Sequence, residues 1–146
     1  MKLAIVGLGG SYSDYIAARI RSEHFDEVWG INCVGGIIHV DKTIMMDPVS
    51  RFLDSDDAGS QTGIARKFLE KNTKPIITCE MDSRVKHLEL YPLEAVIKDL
   101  NICYFNNTVP YAIAYAIYYG VKELCLYGLD YTYKNVSMAE AGRACT

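Results

Sequence analysis

A four-residue apolar run, Leu3-Ala4-Ile5-Val6, stops abruptly in Gly7-Leu8-Gly9-Gly10-Ser11. A run that short, apolar at every position, fits a strand buried on both faces of a parallel sheet. The glycines then turn the chain sharply, and the next segment has helical spacing. From Tyr12 to His24, Ile16, Ala17 and Ile20 fall on one side, and Ser11 or Ser13 is placed to cap the first turn. Strand, glycine turn and capped helix make the first half of a βαβ unit, and the rest of the chain repeats the theme.

Val28 to Ile31 and Thr43 to Met46 read as further strands. Ser50 to Thr62 is polar and acidic and reads as a loop. Gly63 to Lys71 is a helix candidate, and Ile76 to Cys79 a strand. Leu93 to Leu100 reads as a helix with Pro92 at its start, and Ile102 to Phe105 as a short strand. The clearest helix runs from Val109 to Tyr119, where Val109, Ala112, Ile113, Ala116 and Ile117 form a core stripe. Asn107 or Thr108 would cap this helix and Gly120 would close it, while Tyr111, Tyr115 and Tyr118 fall on its outer side. Leu124 to Tyr127 reads as a buried strand ending at Gly128, and Met138 to Cys145 as the opening of a helix, either one that a longer chain would complete or a short docking tail. Alternating strands and helices predict an α/β fold: one Rossmann-like domain over residues 1–146, its mainly parallel sheet covered on both faces.

Composition narrows the function classes. Half of the 146 residues are hydrophobic and 23% charged, which suits one folded domain. A net charge of −3 leaves no broad basic footprint for nucleic acid. No run is long enough to span a bilayer, and no basic-plus-apolar leader opens the chain. The cysteines at 33, 79, 103, 125 and 145 make no C-x-x-C pair and are expected to be reduced and mostly buried. The expected location is therefore cytoplasmic.

Parallel α/β sheets bind ligands beyond the carboxyl ends of their strands. Those ends carry Gly9-Gly10-Ser11, Asn32, Asp47, Glu80-Met81-Asp82, Asn106-Asn107-Thr108 and Gly128-Leu129-Asp130. The first turn could surround a phosphate with backbone N–H groups and the Ser11 hydroxyl, helped by the dipole of the following helix. It is not the dinucleotide fingerprint, since Tyr12 stands where the third glycine belongs, nor an NTPase phosphate loop, which needs Gly-Lys-Ser/Thr. Asn32 can both donate to and accept from a base, ribose or phosphate. Asn107 and Thr108 open the strongest helix. Asp130 is followed by Tyr131 and Tyr133, whose hydroxyls can bind phosphate while their rings stack on a sugar or base.

Metal binding is not expected. Asp54, Asp56 and Asp57 before Gly59 resemble a calcium loop only faintly, because Ala58 and Ala65 break the pattern, and the three histidines are dispersed. His39, His87 and Asp130 are weak candidates for a general base.

The stretch from Asn107 to Tyr131 resembles a recurrent pattern: a small-residue helix, Gly120-Val121-Lys122-Glu123, an apolar strand, and Gly128-Leu129-Asp130-Tyr131. It is similar to that of bacterial sialyltransferases of the Campylobacter type and of the archaeal hydroxymethylpterin pyrophosphokinase-like family. The N-terminal Ile5-Val6-Gly7-Leu8-Gly9-Gly10-Ser11 resembles their apolar strand and Gly-Xaa-Gly-Pro-Ser turn, with Gly10 in place of the proline. Asn107-Thr108 stands in place of the families' Ser-Gly. Asn32 falls where the sialyltransferases carry a nucleotide-contacting asparagine. The resemblance implies a nucleotide or sugar-nucleotide site built from Gly9, Gly10, Ser11, Asn32, Asn107 and Thr108, with Gly128, Asp130, Tyr131 and Tyr133 beside it. It implies glycosyl transfer as the chemistry, and those enzymes' base and phosphate-binding tyrosines come after the Gly-Xaa-Asp segment. The alternatives are pyrophosphate transfer, with Mg2+ held by Asp47, Asp82 and Asp130, and a non-catalytic module that sequesters a nucleotide. A second copy of the chain is the protein partner left open.

Overall fold

Short apolar runs distant in sequence pair side by side into one parallel sheet. The computed structural model describes residues 1–59, 61–131 and 136–145. Among them the strands are β1 (Lys2–Val6), β2 (Glu27–Ile31), β3 (Lys42–Met45), β4 (Ile76–Thr78), β5 (Leu88–Leu90) and β6 (Glu123–Tyr127). Their order across the sheet is β5-β4-β3-β2-β1-β6, with every pairing parallel. The helices are α1 (Tyr12–Ile20), α2 (Val49–Asp54), α3 (Gln61–Lys71), α4 (Leu93–Leu100), α5 (Thr108–Tyr118) and α6 (Val136–Cys145), with a 3-10 helix at Asn32–Gly36. The expected α/β architecture is what the chain adopts.

Strand alternation divides the core between the two faces. Leu3, Ile5, Trp29, Ile31, Ile44 and Ile77 point to the face covered by α4 and α5, where they meet Val96, Ala112 and Tyr115. Ala4, Val6 and Val28 point to the other face and meet Tyr15 and Ala18 of α1. Met45 and Ile76 on that second face meet Phe52 of α2 and Ala65, Phe68 and Leu69 of α3. Burial on both faces is why the central strands are apolar at every position.

Several expectations need correction. The helix expected to reach His24 ends at Ile20, because Ser22 adopts φ 62 and the amides of Arg21, Ser22 and Glu23 fold back onto α1 carbonyls. Its buried residues are Tyr15 and Ala18, whereas Ile16 and Ile20 are exposed. Neither serine caps α1 as anticipated: Ser11 makes no cap bond, and the Ser13 hydroxyl donates to the Gly10 carbonyl at 3.3 Å. The acidic segment from Ser50 is no simple loop, since α2 occupies its first half and α3 begins at Gln61. Phe52, 7% exposed, anchors α2 to the core.

Ile102 to Phe105 forms no strand, while Leu88–Leu90 does. A strand needs an open neighbouring edge, and β4 offers one to β5. Tyr115 is buried against Trp29 rather than outward-facing, and Ile117, expected in the core stripe, is exposed. β6 is an edge strand, only partly covered, and its Leu126 is exposed. The thiols are also less buried than expected: Cys79 and Cys103 are exposed, Cys33 and Cys125 half-buried. No described helix is long and apolar enough to cross a membrane.

Candidate functional site

A parallel sheet sends every strand's carboxyl end to the same edge. β1 lies between β2 and β6, so the chain leaves β1 in one direction across the sheet and finally returns on the other side. That reversal is the topological switch point at which open α/β sheets form their ligand crevice.

Two clefts lie along this edge. The first, about 550 Å³, is lined by Asn32 after β2, Asp47 after β3, Arg51 of α2, and Asn106, Asn107 and Thr108 at the start of α5. Met46, Phe105 and Tyr111 supply its apolar wall. The second, about 340 Å³, is lined by Gly7, Leu8 and Gly9 after β1 and by Gly128, Leu129, Asp130 and Tyr131 after β6, with Gln61 of α3 at its side. Ile31 and Val109 line both, so the clefts adjoin.

The turn after β1 is tied to the turn after β6. The Gly7 amide donates to the Tyr127 carbonyl at 2.8 Å and the Gly9 amide to the Gly128 carbonyl at 2.7 Å. The Gly128 amide donates to Ser11 Oγ at 3.0 Å, and the Ser11 amide donates to Asp130 Oδ2 at 2.7 Å. Asp130 thus places a carboxylate at the positive end of α1, where a ligand phosphate had been expected. Of the turn's amides, those of Leu8 and Gly10 have no acceptor among the described residues.

The Ser11 hydroxyl and then the Ser11 amide hold the Asp130 carboxyl below its ordinary value of 3.8. A depressed folded-state pKa means the contact stabilises fully above the unfolded value and is lost as pH falls through the folded one. Acid titration of the wild type should therefore show a loss of stability below pH 3.8 that Asp130→Asn lacks. Parallel acid-unfolding curves followed by circular dichroism check this, and coincident acid limbs would refute the linkage.

Asn32 is the most unusual residue of the edge. It adopts the left-handed conformation, φ 53, as the first residue of the 3-10 helix, directly after β2. Its Oδ1 is sealed from solvent without a hydrogen-bond donor. Asparagine tolerates this backbone better than most residues, but the combination still stores strain and an unmet acceptor beside a cleft. Asn107 Oδ1 accepts from the Val109 amide at 3.0 Å, which makes it the cap of α5. Asn107 Nδ2 donates to Asn106 Oδ1, and Asn106 Nδ2 to the Ala141 carbonyl of α6, both at 2.6 Å. Thr108 opens α5 at the cleft wall.

The structure brings Asn32, Asn107 and Thr108 to one cleft, and Gly9, Gly128, Asp130 and Tyr131 to its neighbour. Gly10 and Ser11 line neither cleft: Ser11 braces the second through its bonds with Gly128 and Asp130, and Gly10 is exposed. Tyr133 lies outside the described residues. His39 is not brought in: it precedes β3, near the start of β2, at the opposite end of the sheet, and is exposed beside Asp41. His87 likewise precedes a strand, β5, and so lies at that far end. Glu80 accepts from the Ser50 hydroxyl at 2.6 Å, and Asp82 is pulled down to about 2 by the Arg84 guanidinium and amide.

Asp54, Asp56 and Asp57 pair with Arg84, Arg66 and Arg51 respectively. Among the described residues no three His, Cys, Asp or Glu side chains converge as a metal site. Arg51 was missed by sequence reasoning. It bridges Asp47 at 2.8 Å and Asp57 at 3.2 Å and, among the described residues, is the only guanidinium lining either cleft. Its location inside a segment read as loop concealed it. In comparisons with protein-family models, with curated proteins and with solved structures, the chain matches none.

Proposed function

We propose that the joined clefts bind a nucleotide or sugar nucleotide, and that the chain is a glycosyltransferase-like, sialyltransferase-like protein. The observation that carries this reading is Asn32, a strained residue with an unmet amide acceptor on the wall of the first cleft, next to Ile31, which lines both. A ligand N–H or O–H, met after the amide turns about its last torsion, would satisfy that oxygen. Aromatic and aliphatic contacts from Phe105, Tyr111 and Met46 suit the flat face of a base.

The phosphate-directed groups are Arg51, the Thr108 hydroxyl and the uncommitted amide of Leu8. Arg51 would exchange an aspartate for a phosphate, a like-for-like swap for a bidentate guanidinium. In a transferase these donors would stabilise the departing nucleotide as its negative charge develops. The pyrophosphate-transfer alternative is less favoured, because its cation ligands are dispersed. Asp47 and Asp130 line different clefts, and Asp82 is taken by Arg84.

Thermal shift and calorimetry across nucleoside mono-, di- and triphosphates and CMP-, UDP- and GDP-sugars test the reading. One nucleotide class should bind selectively, and Asn32→Ala should weaken it at least about tenfold, the worth of one good hydrogen bond. The ligand-free melt of the variant reports any change in folding separately. Silence across the whole panel, or undiminished affinity in Asn32→Ala, would overturn the proposal.

A further inference from the structure

A third concavity, about 430 Å³, opens away from the sheet edge, between the 3-10 helix and α3. Its α3 wall is the stripe Ile64, Lys67, Phe68 and Lys71, spaced i, i+3, i+4, i+7 on one side of the helix. Phe68 is buried and forms the floor, while Ile64 and, across the groove, Ile37 are 61% and 64% exposed. The facing wall is low because it is built from Gly35 and Gly36. Gly35 must remain small, since a Cβ there would stand 2.9 Å from Val40 and 3.1 Å from the Phe68 ring. At Gly36 a Cβ would meet Phe68 only at an ordinary 3.6 Å, so groove width at that point is free to vary.

The groove lining mixes two chemistries. Ile37, Ile64 and Phe68 make the lining apolar, while Lys67 and Lys71, one turn apart on α3, add two ammonium groups at its side. Among the described residues neither lysine has a carboxylate partner, whereas Arg51, Arg66, Arg84 and Arg143 are all paired. Two unneutralised ammonium groups also outweigh the weak negative pole at the end of α3. From Ile64 to Lys71 the helix rises roughly 10 Å. That length matches a medium-chain aliphatic acid and is short for a docked peptide helix, which needs anchors over several turns.

We propose that this groove is a second binding site, for a small amphipathic carboxylate whose apolar chain lies on Phe68 between Ile37 and Ile64 and whose carboxylate meets Lys67 and Lys71. Octanoate is the probe, titrated into the full chain and followed by the amide resonances of Gly35, Gly36 and Ile37. Saturable shifts are expected at these amides. Octanol should bind at least about tenfold more weakly, as should octanoate with the Lys67→Glu/Lys71→Glu double variant. Both lysines are exposed, and the variant's melting curve verifies its fold independently. Gly36→Leu, which fills the groove, should abolish the shifts.

Absence of shifts with octanoate, equal binding of octanol, or unchanged affinity in the double variant would each overturn the proposal. So would an acidic amphipathic peptide that moves these amides where octanoate does not, since it would make the groove a protein-docking surface.

Discussion

Gly128→Ala should destabilise the protein by about 3 kcal/mol or more, although it adds a single methyl group. Gly128 has φ 66, a conformation that disfavours any residue with a Cβ by roughly 1–2 kcal/mol. The added carbon would also overlap the Gly7 carbonyl oxygen and stand 2.8 Å from its carbon. Backbone cannot swing aside as a flexible side chain does, so the turns after β1 and β6 would have to separate. Separation would lengthen the bonds from Gly9 to Gly128, from Gly128 to Ser11 and from Ser11 to Asp130 together. In a domain of this size the melting temperature should fall by roughly 6–12 °C.

Gly120→Ala provides the control. Gly120 closes α5 at φ 74 with nothing within 4 Å of its would-be Cβ, so only the conformational cost applies, roughly 1–2 kcal/mol. Thermal and denaturant melts of both variants measure the difference. Equal losses at the two glycines would show that the apposed turns do not constrain each other.

Trp29→Ala should cost about 3–5 kcal/mol, the range for removing a large buried aromatic. Trp29 is 1% exposed at the centre of β2. Its ring packs on Tyr115 at 5.4 Å between centroids, and its Nε1 donates to Glu27 Oε2 at 2.6 Å. The Lys42 ammonium lies 4.8 Å above the indole and also faces Tyr115 and Tyr119. Truncation would empty the space between β2 and α5 and leave Lys42 without its best aromatic partner. Trp29→Phe should lose less, because it keeps part of the packing and forfeits the indole N–H. Urea unfolding followed by far-UV circular dichroism separates the variants. A loss below about 1 kcal/mol for Trp29→Ala would mean that the core closes around the gap.

The clustering of site residues at one sheet edge followed from strand polarity, which can be read before any contact is known. Asn32, Asp47 and Asp130 were placed there because each follows a strand, whereas Asn107 and Thr108 follow a run that forms no strand and reach the edge by opening α5. Arg51 lacked any such marker. The Ser11–Asp130 bond joins residues 119 apart and leaves no trace in local spacing. The same bond explains why the glycine turn, which resembles a phosphate cradle in sequence, has a protein carboxylate against its helix.

Local chemistry by itself determined the α/β class, most of the strands, α4, the Asn107 cap and the Gly120 stop. Those features depend on the backbone preferences and short-range periodicity of neighbouring residues. Tertiary structure decided which side of each helix is buried and which short apolar run becomes a strand. α1 offers apolar side chains in several directions, and the sheet selects Tyr15 and Ala18 over Ile16 and Ile20. Leu88–Leu90 and Ile102 to Phe105 are both short, apolar-rich segments, but only the first lies beside an unpaired edge. A strand's hydrogen bonds are made to another part of the chain, so its existence depends on where that other part lies.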